Sequence, residues 1–526
     1  MIKPDKHQLT WSEVRGIILV VFGMTTLVYY YSWWVQTDHW FSIWLLPIFI
    51  MAILYGTTQI FGNWVVYLAT HYRHVCYTPH DPNLTVDVYV TTCHEDHHLV
   101  EQAVVAARDM QGSHKTYLLD DGRDPALEAL AHKLEVGYLT RTDRHHAKAG
   151  NLNAALPQTE GEIIVIFDID HAPSPEFLTR SLGYFNNPQV GFVQVMLTFA
   201  SEDKWVARAA ADTSLDFYNP TSVGADGLNS ATLIGSNALI RRQALLDIGG
   251  YKPGLAEDLA TSIHLHAAGW RSVYVQEPLA PGIAPPDPPA WFTQQLKWAR
   301  GVFELLLTTY PKLFTKLSLG QRVAYGLRMT YYWIGFVFCL HLLAVLVALL
   351  RHDASALAAF EQYLWHLTPL AVMVLLIRQL ALRRWCHRSL PYKSLQWQPL
   401  ALVLATWPVY TAAWLMALFR LPLGFRPTPK ASDAGGLNPL WLLPQWSSVL
   451  LLSGGLLYRL WRHGLTDFPL TYAFVLALIG AQVPLLWYWL RGRFVSPAPI
   501  LPTITQSISD RVHKRASKKA DWAGLF

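Results

Sequence analysis

Five polar stretches of this chain carry residue types that suit one reaction centre. Asp168-Ile169-Asp170 sets two carboxylates at i and i+2 where an apolar run ends. Side chains alternate along a strand, so both carboxylates can point to the same side as the chain leaves it. Hard oxygen donors of this kind suit Mg2+ or Mn2+, and a cation they share can also hold a diphosphate. A solvated turn is the commoner meaning of an isolated Asp-x-Asp. Here buried-strand-like residues precede it, and His146-Ala-Lys148-Ala-Gly-Asn-Leu-Asn153 lies upstream, with Lys148 able to meet phosphate oxygens. Asp120-Asp121-Gly122 closes another apolar run; a turn is its default meaning, a nucleobase or ribose contact its functional one. Glu257 and Asp258 open a helix-like stretch after Gly249-Gly250-Tyr-Lys-Pro-Gly254. Helix capping is the plain explanation. The chemical one makes Asp258 a general base that takes the proton of an attacking acceptor hydroxyl. Gln294-Gln295-Leu296-Lys297-Trp298 begins an amphipathic segment that ends near Tyr310. Its Trp can anchor at a membrane interface or stack on a sugar face, with Lys297 steadying a leaving diphosphate.

Strands must hold these groups in place. Val86-Asp-Val-Tyr-Val90 reads as an alternating strand that ends at Thr91-Thr92-Cys93-His94-Glu95. Lys115–Leu119 reads as a second strand ending at Asp120, and Glu162–Phe167 as a third ending at Asp168. Apolar runs closed by polar loops and followed by helix-compatible stretches predict a doubly wound, mostly parallel α/β sheet. Such sheets bind ligands where strands end, which is where the polar residues gather.

Outside this segment the chain is built for lipid. Of its 526 residues 52% are apolar and only 15% charged, where a soluble domain carries about 25% charged. The net charge of +5 does not argue for nucleic acid. Nearly uncharged runs long enough to span occur at Gly16–Trp34, Trp40–Val66, Met329–Leu350, Tyr363–Leu382 (interrupted by Arg378), Pro399–Phe419, Leu437–Tyr458 and Phe468–Leu490. The first is read as a retained span, not a removed signal peptide. Basic clusters at Arg383, Arg384, Arg388 and Lys393, and at Arg491, Arg493 and the tail, favour the cytosol. Both share a face with the polar domain only if 399–419 lies in the interface, which leaves six spans. That arrangement puts Arg459 and Arg462 on the opposite face. Four cysteines (Cys76, Cys93, Cys339, Cys386) form no close-spaced pair and read as free thiols.

In this order the blocks resemble the processive family 2 glycosyltransferases, particularly the bacterial cellulose synthase catalytic subunit and related β-glucan (cellulose, curdlan or mixed-linkage) synthases. Asp120/Asp121, Asp168/Asp170, Glu257-Asp258 and Gln294 to Trp298 match that family's first Asp, Asp-x-Asp, Thr-Glu-Asp and Gln-(Gln/Arg)-x-Arg-Trp. The His146–Asn153 stretch and Gly235-Ser-Asn look like further family blocks, and the likeness covers about Val86 to Gly301. Phe425-Arg-Pro-Thr428-Pro-Lys430 resembles the family's Phe-x-Val-Thr-x-Lys gating loop, which closes over bound nucleotide and follows an interfacial helix. Departures are Ala256 for Thr, Lys297 for Arg, Cys93 for the Tyr of a Thr-Tyr-Asn-Glu block ending at Glu95, and Pro427 for Val. Lys297 keeps the charge and loses the bidentate fork. Only a short basic tail follows the last run, so neither a β-barrel domain nor a cyclic-di-GMP switch is expected.

The resemblance implies a GT-A-type glycosyltransferase domain inserted in an α-helical transmembrane bundle of the plasma (bacterial inner) membrane, its catalytic side cytosolic. The expected organisation is 1–72, two transmembrane helices; 83–312, the transferase; and 313–526, four helices forming a channel. This last region includes the interfacial helix 399–419, a gating loop 420–436 and the tail. The implied activity is processive, inverting polymerisation of a β-glucan from UDP-glucose with export of the chain, leaving room for accessory export proteins. Asp258 with Glu257 would be catalytic, and Asp168 and Asp170 would hold Mg2+ or Mn2+. Glu95, Asp120, Asp121, Lys148, Asp168, Gln294, Gln295, Lys297, Trp298, Phe425, Thr428 and Lys430 would meet donor or polymer. Two rivals stand beside it: a non-processive transferase to a lipid carrier, and an export channel with an inactive transferase domain.

Overall fold

The chain's structure is a computed structural model that describes residues 11–36, 46–70, 79–200, 204–351, 355–388, 390, 397–424, 439–465 and 467–492. Two apolar helices come first, α1 (Trp11–Trp34) and α2 (Leu46–Ala69), the second with a π-helical turn at Ala52–Gly56. A seven-stranded sheet follows: β1 (Val86–Thr92), β2 (Lys115–Asp120), β3 (Gly137–Leu139), β4 (Ile163–Asp168), β5 (Val190–Ala200), β6 (Ala238–Arg241) and β7 (Arg271–Ile283), in the order β3-β2-β1-β4-β6-β5-β7. Pairing is parallel except for β6, which runs antiparallel to both its neighbours. The mostly parallel α/β sheet expected from the run lengths is therefore present. Register sets Thr92 beside Asp120 and Thr91 beside Asp168. The chain winds outward from β1 to β3 and then returns to place β4 on the other side of β1. That reversal opens the crevice where sheets of this kind take their ligands.

β1 is the strand expected from its alternation, and both its faces are covered: all seven of its residues are buried. Val86, Val88 and Val90 pack into one layer with Val100, Val104 and Phe167, while Tyr89 packs into the other with Leu152, Ile164 and Ile166. A parallel sheet covered on both faces leaves no solvated side for polar residues. Asp87, the polar member, is buried because Arg242 Nη2 lies 2.9 Å and the Gly161 N–H 2.5 Å from its Oδ2. A buried carboxylate needs such partners.

The helices that frame the crevice are α3 (Ala147–Ala155), α4 (Trp205–Asp216), α5 (Glu257–Ala267), α6 (Pro288–Leu307) and α7 (Leu319–Thr330). Behind them come α8 (Trp333–Leu350), α9 (Ser355–Trp385), the bent pair α10 (Trp397–Ala405) and α11 (Trp407–Leu418), then α12 (Leu443–His463) and α13 (Pro469–Gly492). Among the described residues six helices are long and apolar enough to cross a membrane, and α10 with α11, bent by 45°, makes a seventh only if counted as one span. The bend has a local cause. Pro408 brings no N–H to the first turn of α11, and the groups around the break find partners on other helices. Ala405 O accepts from Gln445 Nε2 at 3.0 Å, and Thr406 Oγ1 accepts from Trp291 Nε1 at 2.9 Å.

Charges in the apolar helices are satisfied in the same way. Arg378, the interruption in the fourth run, bonds Asp216 at the end of α4 (2.9 Å), and Tyr67 of α2 donates to the same carboxylate at 3.3 Å. Arg459 is fully buried and donates to Leu349 O at 2.7 Å, capping the C-terminus of α8. A guanidinium is favoured there by the helix dipole and the orphan carbonyls. Cys93, Cys339 and Cys386 are free thiols; Cys76 and the tail lie outside the described residues.

Candidate active site

The crevice between β1 and β4 collects Lys148, Asp168 and Asp170. Asp168 ends β4, and its Oδ1 lies 2.5 Å from Lys148 Nζ and 3.2 Å from Thr91 Oγ1. Lys148 enters from the first turn of α3 and donates also to Gly235 O at 2.8 Å. Burial opposes the Lys148 charge, but Asp168 and then Asp258 outweigh it, so its pKa is raised. Asp170 sits in the turn closed by the His171 N–H and Asp168 O (3.0 Å), with its Oδ1 3.3 Å from His171 Nδ1. The Asp168 side chain is 37% exposed and that of Asp170 7%, so Asp168 is the open member of the pair. Among the described residues no three His, Cys, Asp or Glu side chains are grouped to hold a metal ion alone. Two carboxylates without a third protein ligand fit a hard dication that keeps water and substrate phosphate oxygens in its shell.

On the acceptor side, Glu257 and Asp258 open α5, and Asp258 Oδ2 lies 3.2 Å from where a Cβ on Gly235 would stand. One residue thus joins the two halves: its carbonyl takes Lys148 and its Cα backs Asp258. Asp258 Oδ1 is buried with no hydrogen-bond partner among the described residues. Burial raises the Asp258 pKa; Lys148 opposes that, Asp168 adds to it, and Arg328 and Lys297 oppose it. Burial and the charge of Asp258 push Glu257 up to about 8. Ala256 occupies the N-cap of α5 without a side-chain cap bond, as an alanine must. α5 is held from behind by His266, which bonds Tyr325 Oη at 2.7 Å and Ser272 Oγ at 2.9 Å. Burial pushes that imidazole down to about 3, so it is neutral.

α6 brings the Gln294–Trp298 block against this pocket. Its N-cap Asp287 accepts from the Ala290 N–H at 3.0 Å, and Pro288 stands at its first position. Gly301 sets the approach: a Cβ there would fall 2.8 Å from Ala256 N and from Leu255 C. Lys297 is close enough to bias both carboxylates of α5, and Trp298 is 38% exposed. Gln295 is buried and its amide oxygen accepts from Tyr410 of α11 at 2.9 Å, tying the block to the apolar helices. Arg300 donates to Leu421 O at 3.2 Å, at the start of the segment that carries Phe425, Thr428 and Lys430. Those three lie outside the described residues.

The third group is saturated. Asp120 is fully buried and accepts from the Gly122 N–H (2.6 Å), the Asp124 N–H (2.7 Å) and Tyr138 (2.9 Å). Asp121 takes a two-pronged ion pair from Arg141, at 2.6 and 2.8 Å. Glu95 accepts from Thr92 Oγ1 at 2.8 Å and from the Cys93 N–H. Three contributors escaped sequence reasoning: Arg141, Gly301 and Arg328, which stands over the Phe217 ring (4.5 Å) and bonds Thr232. A glycine inside a helical pattern hints at close approach. Nothing in a single sequence separates Arg141 or Arg328 from ordinary loop and helix-end cations.

Comparison with known proteins agrees with this geometry. A family model described as glycosyltransferase like family 2 matches residues 82–301, and one described as cellulose synthase matches residues 246–391. The UDP-forming cellulose synthase catalytic subunit of Pseudomonas fluorescens (strain SBW25) is 35% identical over 297 residues, 54% of this chain and 40% of that protein. The UDP-forming cellulose synthase 1 catalytic subunit of Komagataeibacter xylinus is 29% identical over 379 residues, 69% of this chain and 50% of that protein. The chain therefore spans half or less of the length of these curated relatives. Among solved structures, a mannosyltransferase from Pyrobaculum calidifontis in complex with GDP-Man and Mn2+ is similar in fold. It has a TM-score of 0.50 and 18% identity, covering 71% of this chain and all of that one. The sheet is thus GT-A-like, and the chain carries a family 2 glycosyltransferase-like domain over residues 82–301 and a cellulose synthase-like segment over residues 246–391.

Proposed function

We propose that the protein extends a β-glucan from UDP-glucose at a membrane face and passes the growing chain through its own apolar helices. The observation that carries this reading is Asp258: a buried carboxylate oxygen without a partner among the described residues, near Lys148 and Lys297, at the start of α5, against which α6 packs the block that ends at Trp298. Names of relatives support the donor, since two of them are UDP-forming cellulose synthases.

In this mechanism the acceptor hydroxyl loses its proton to Asp258 as its oxygen attacks the anomeric carbon. The bond from that carbon to the diphosphate oxygen breaks on the opposite face, so the configuration inverts and UDP leaves. Lys148 and Lys297 offset the charge that grows on the diphosphate. Asp168 and Asp170 would hold Mg2+ or Mn2+, which when bound neutralises phosphate charge. Burial and the charge of Asp258 raise the Glu257 pKa, so these two carboxylates favour sharing a proton over carrying two charges beside the acceptor. Trp298 would stack on the terminal sugar. Phe425, Thr428 and Lys430 would close over the nucleotide, and Gln294 and Gln295 would line the polymer's path.

The test is incubation of the detergent-purified protein with labelled UDP-glucose and Mg2+ or Mn2+, followed by linkage-specific glucanases. A long polymer cut by one glucanase class is the expected result. A short glycolipid product would favour transfer to a lipid carrier, and binding without incorporation would favour an inactive export channel.

A further inference from the structure

One buried cation is unused by the chemistry above. Arg141 follows β3, and its side chain, like that of Asp121, is only 9% exposed. Its guanidinium bonds two neighbouring segments. Nε and Nη2 grip Asp121 at 2.6 and 2.8 Å, while Nη1 donates to His145 O at 2.7 Å and Nη2 to Ala147 O at 2.8 Å. Those two carbonyls flank His146, whose φ is +65°, and Ala147 itself has a φ of +43°. Two successive non-glycine residues in the left-handed region persist only where surrounding structure holds them. No side chain caps this entry to α3, so the guanidinium fork is what holds it. Lys148 is the next residue, and it reaches Asp168 and Gly235 O. The lacing is reinforced nearby: Arg123 Nε donates to Arg141 O at 2.7 Å, and Arg144 Nη2 to Gly122 O at 3.0 Å.

We infer that Arg141 is a positioning residue for the donor: it fixes the strained entry to α3 so that Lys148 is delivered to the diphosphate, using Asp121 as its anchor. The inference rests on the proposed reading in which Lys148 meets the donor diphosphate. It makes the β2 edge and the phosphate lysine one rigid unit, without Arg141 touching the donor. The planar fork matters, because an ammonium has three donors on one atom and cannot reproduce four bonds spread over three nitrogens, two of them a paired grip on one carboxylate.

The test is UDP binding, without sugar transfer, by the full-length protein as wild type, R141K, K148A and the double variant. R141K is expected to weaken UDP about tenfold. In the K148A background the same change should alter affinity less than about twofold, because coupled residues are not additive. Full additivity, or R141K binding as tightly as wild type, overturns the inference. Should R141K fail to fold, G150A tests the same clamp from the other side. A Cβ at Gly150 would stand 2.1 Å from His145 O and 2.2 Å from Arg141 Nη1. It should weaken UDP in wild type and add nothing to K148A, and an equal loss in both backgrounds would contradict the clamp. A wild type that binds no UDP overturns the donor reading and this inference together, whereas tight wild-type binding with an indifferent R141K sinks the inference alone.

Discussion

The Asp168 edge and the Asp258 pocket, which meet at Gly235, are built on opposite rules. At the edge every carboxylate is engaged: Asp120 by three donors, Asp121 by Arg141, Asp168 by Lys148 and Thr91. In the pocket Asp258 keeps one buried oxygen without a partner. Leaving a buried acceptor unsatisfied costs stability, so the contrast has a functional meaning. Saturated carboxylates hold shape and charge; a carboxylate that must receive a proton has to be left room for it. The nearby cations Lys148, Arg328 and Lys297 oppose the rise that burial imposes on the Asp258 pKa.

The largest expected effect comes from removing the divalent cation the edge would share with a diphosphate. Chelation should cut transfer roughly a thousandfold, with recovery on adding Mg2+ or Mn2+; undiminished turnover in chelator would remove Asp168 and Asp170 from that role. Next, Gly301→Ala should push α6 away from the start of α5, since a Cβ there would meet backbone at 2.8 Å. Misplacing reacting groups by such amounts costs about ten- to a hundredfold in kcat, while UDP binding should hold. Equal losses in both would mean the helix serves the edge and not the pocket.

Smaller effects sharpen the contrast. The Asp258 pKa is raised by burial, and the base works only when ionised, so the rate should fall as pH drops through that raised pKa. Arg328 opposes the rise. Arg328→Met should therefore move the acid limb of the pH–rate profile upward, by about half a unit to one unit; a shift downward would show that burial at this site is relieved and not deepened. The smallest change concerns Ala256, the uncapped start of α5. Ala256→Thr supplies an N-cap hydroxyl worth about 1 kcal/mol, so the melting temperature should rise by a few degrees. An unchanged melting temperature would mean that the cap geometry does not accept a hydroxyl.

How much of this was legible beforehand follows the range of the interactions. The strand ends at Asp120 and Asp168 were readable because apolar runs stop there, and the parallel register then had to bring them to one edge. The alternation of β1 was legible too, but not the burial of Asp87, which looks solvated until Arg242, 155 residues away, is seen beside it. Arg378 looked like a flaw in a span for the same reason, its partner Asp216 being 162 residues distant. The break at Thr406 could have been suspected from Pro408, but not the Gln445 and Trp291 side chains that make it tolerable. Asp121 was legible as a residue just past the end of β2, whereas its occupation by Arg141 depends on a loop conformation that no spacing rule predicts.

The most direct test of the contrast is Asp258→Asn, assayed for UDP binding and for sugar transfer on the same preparation. Loss of a general base costs about a hundred- to ten-thousandfold, so transfer should collapse by that much while UDP affinity stays within a factor of about two of wild type. Transfer near the wild-type rate would contradict the account, because the one carboxylate left room for a proton would then have none to receive.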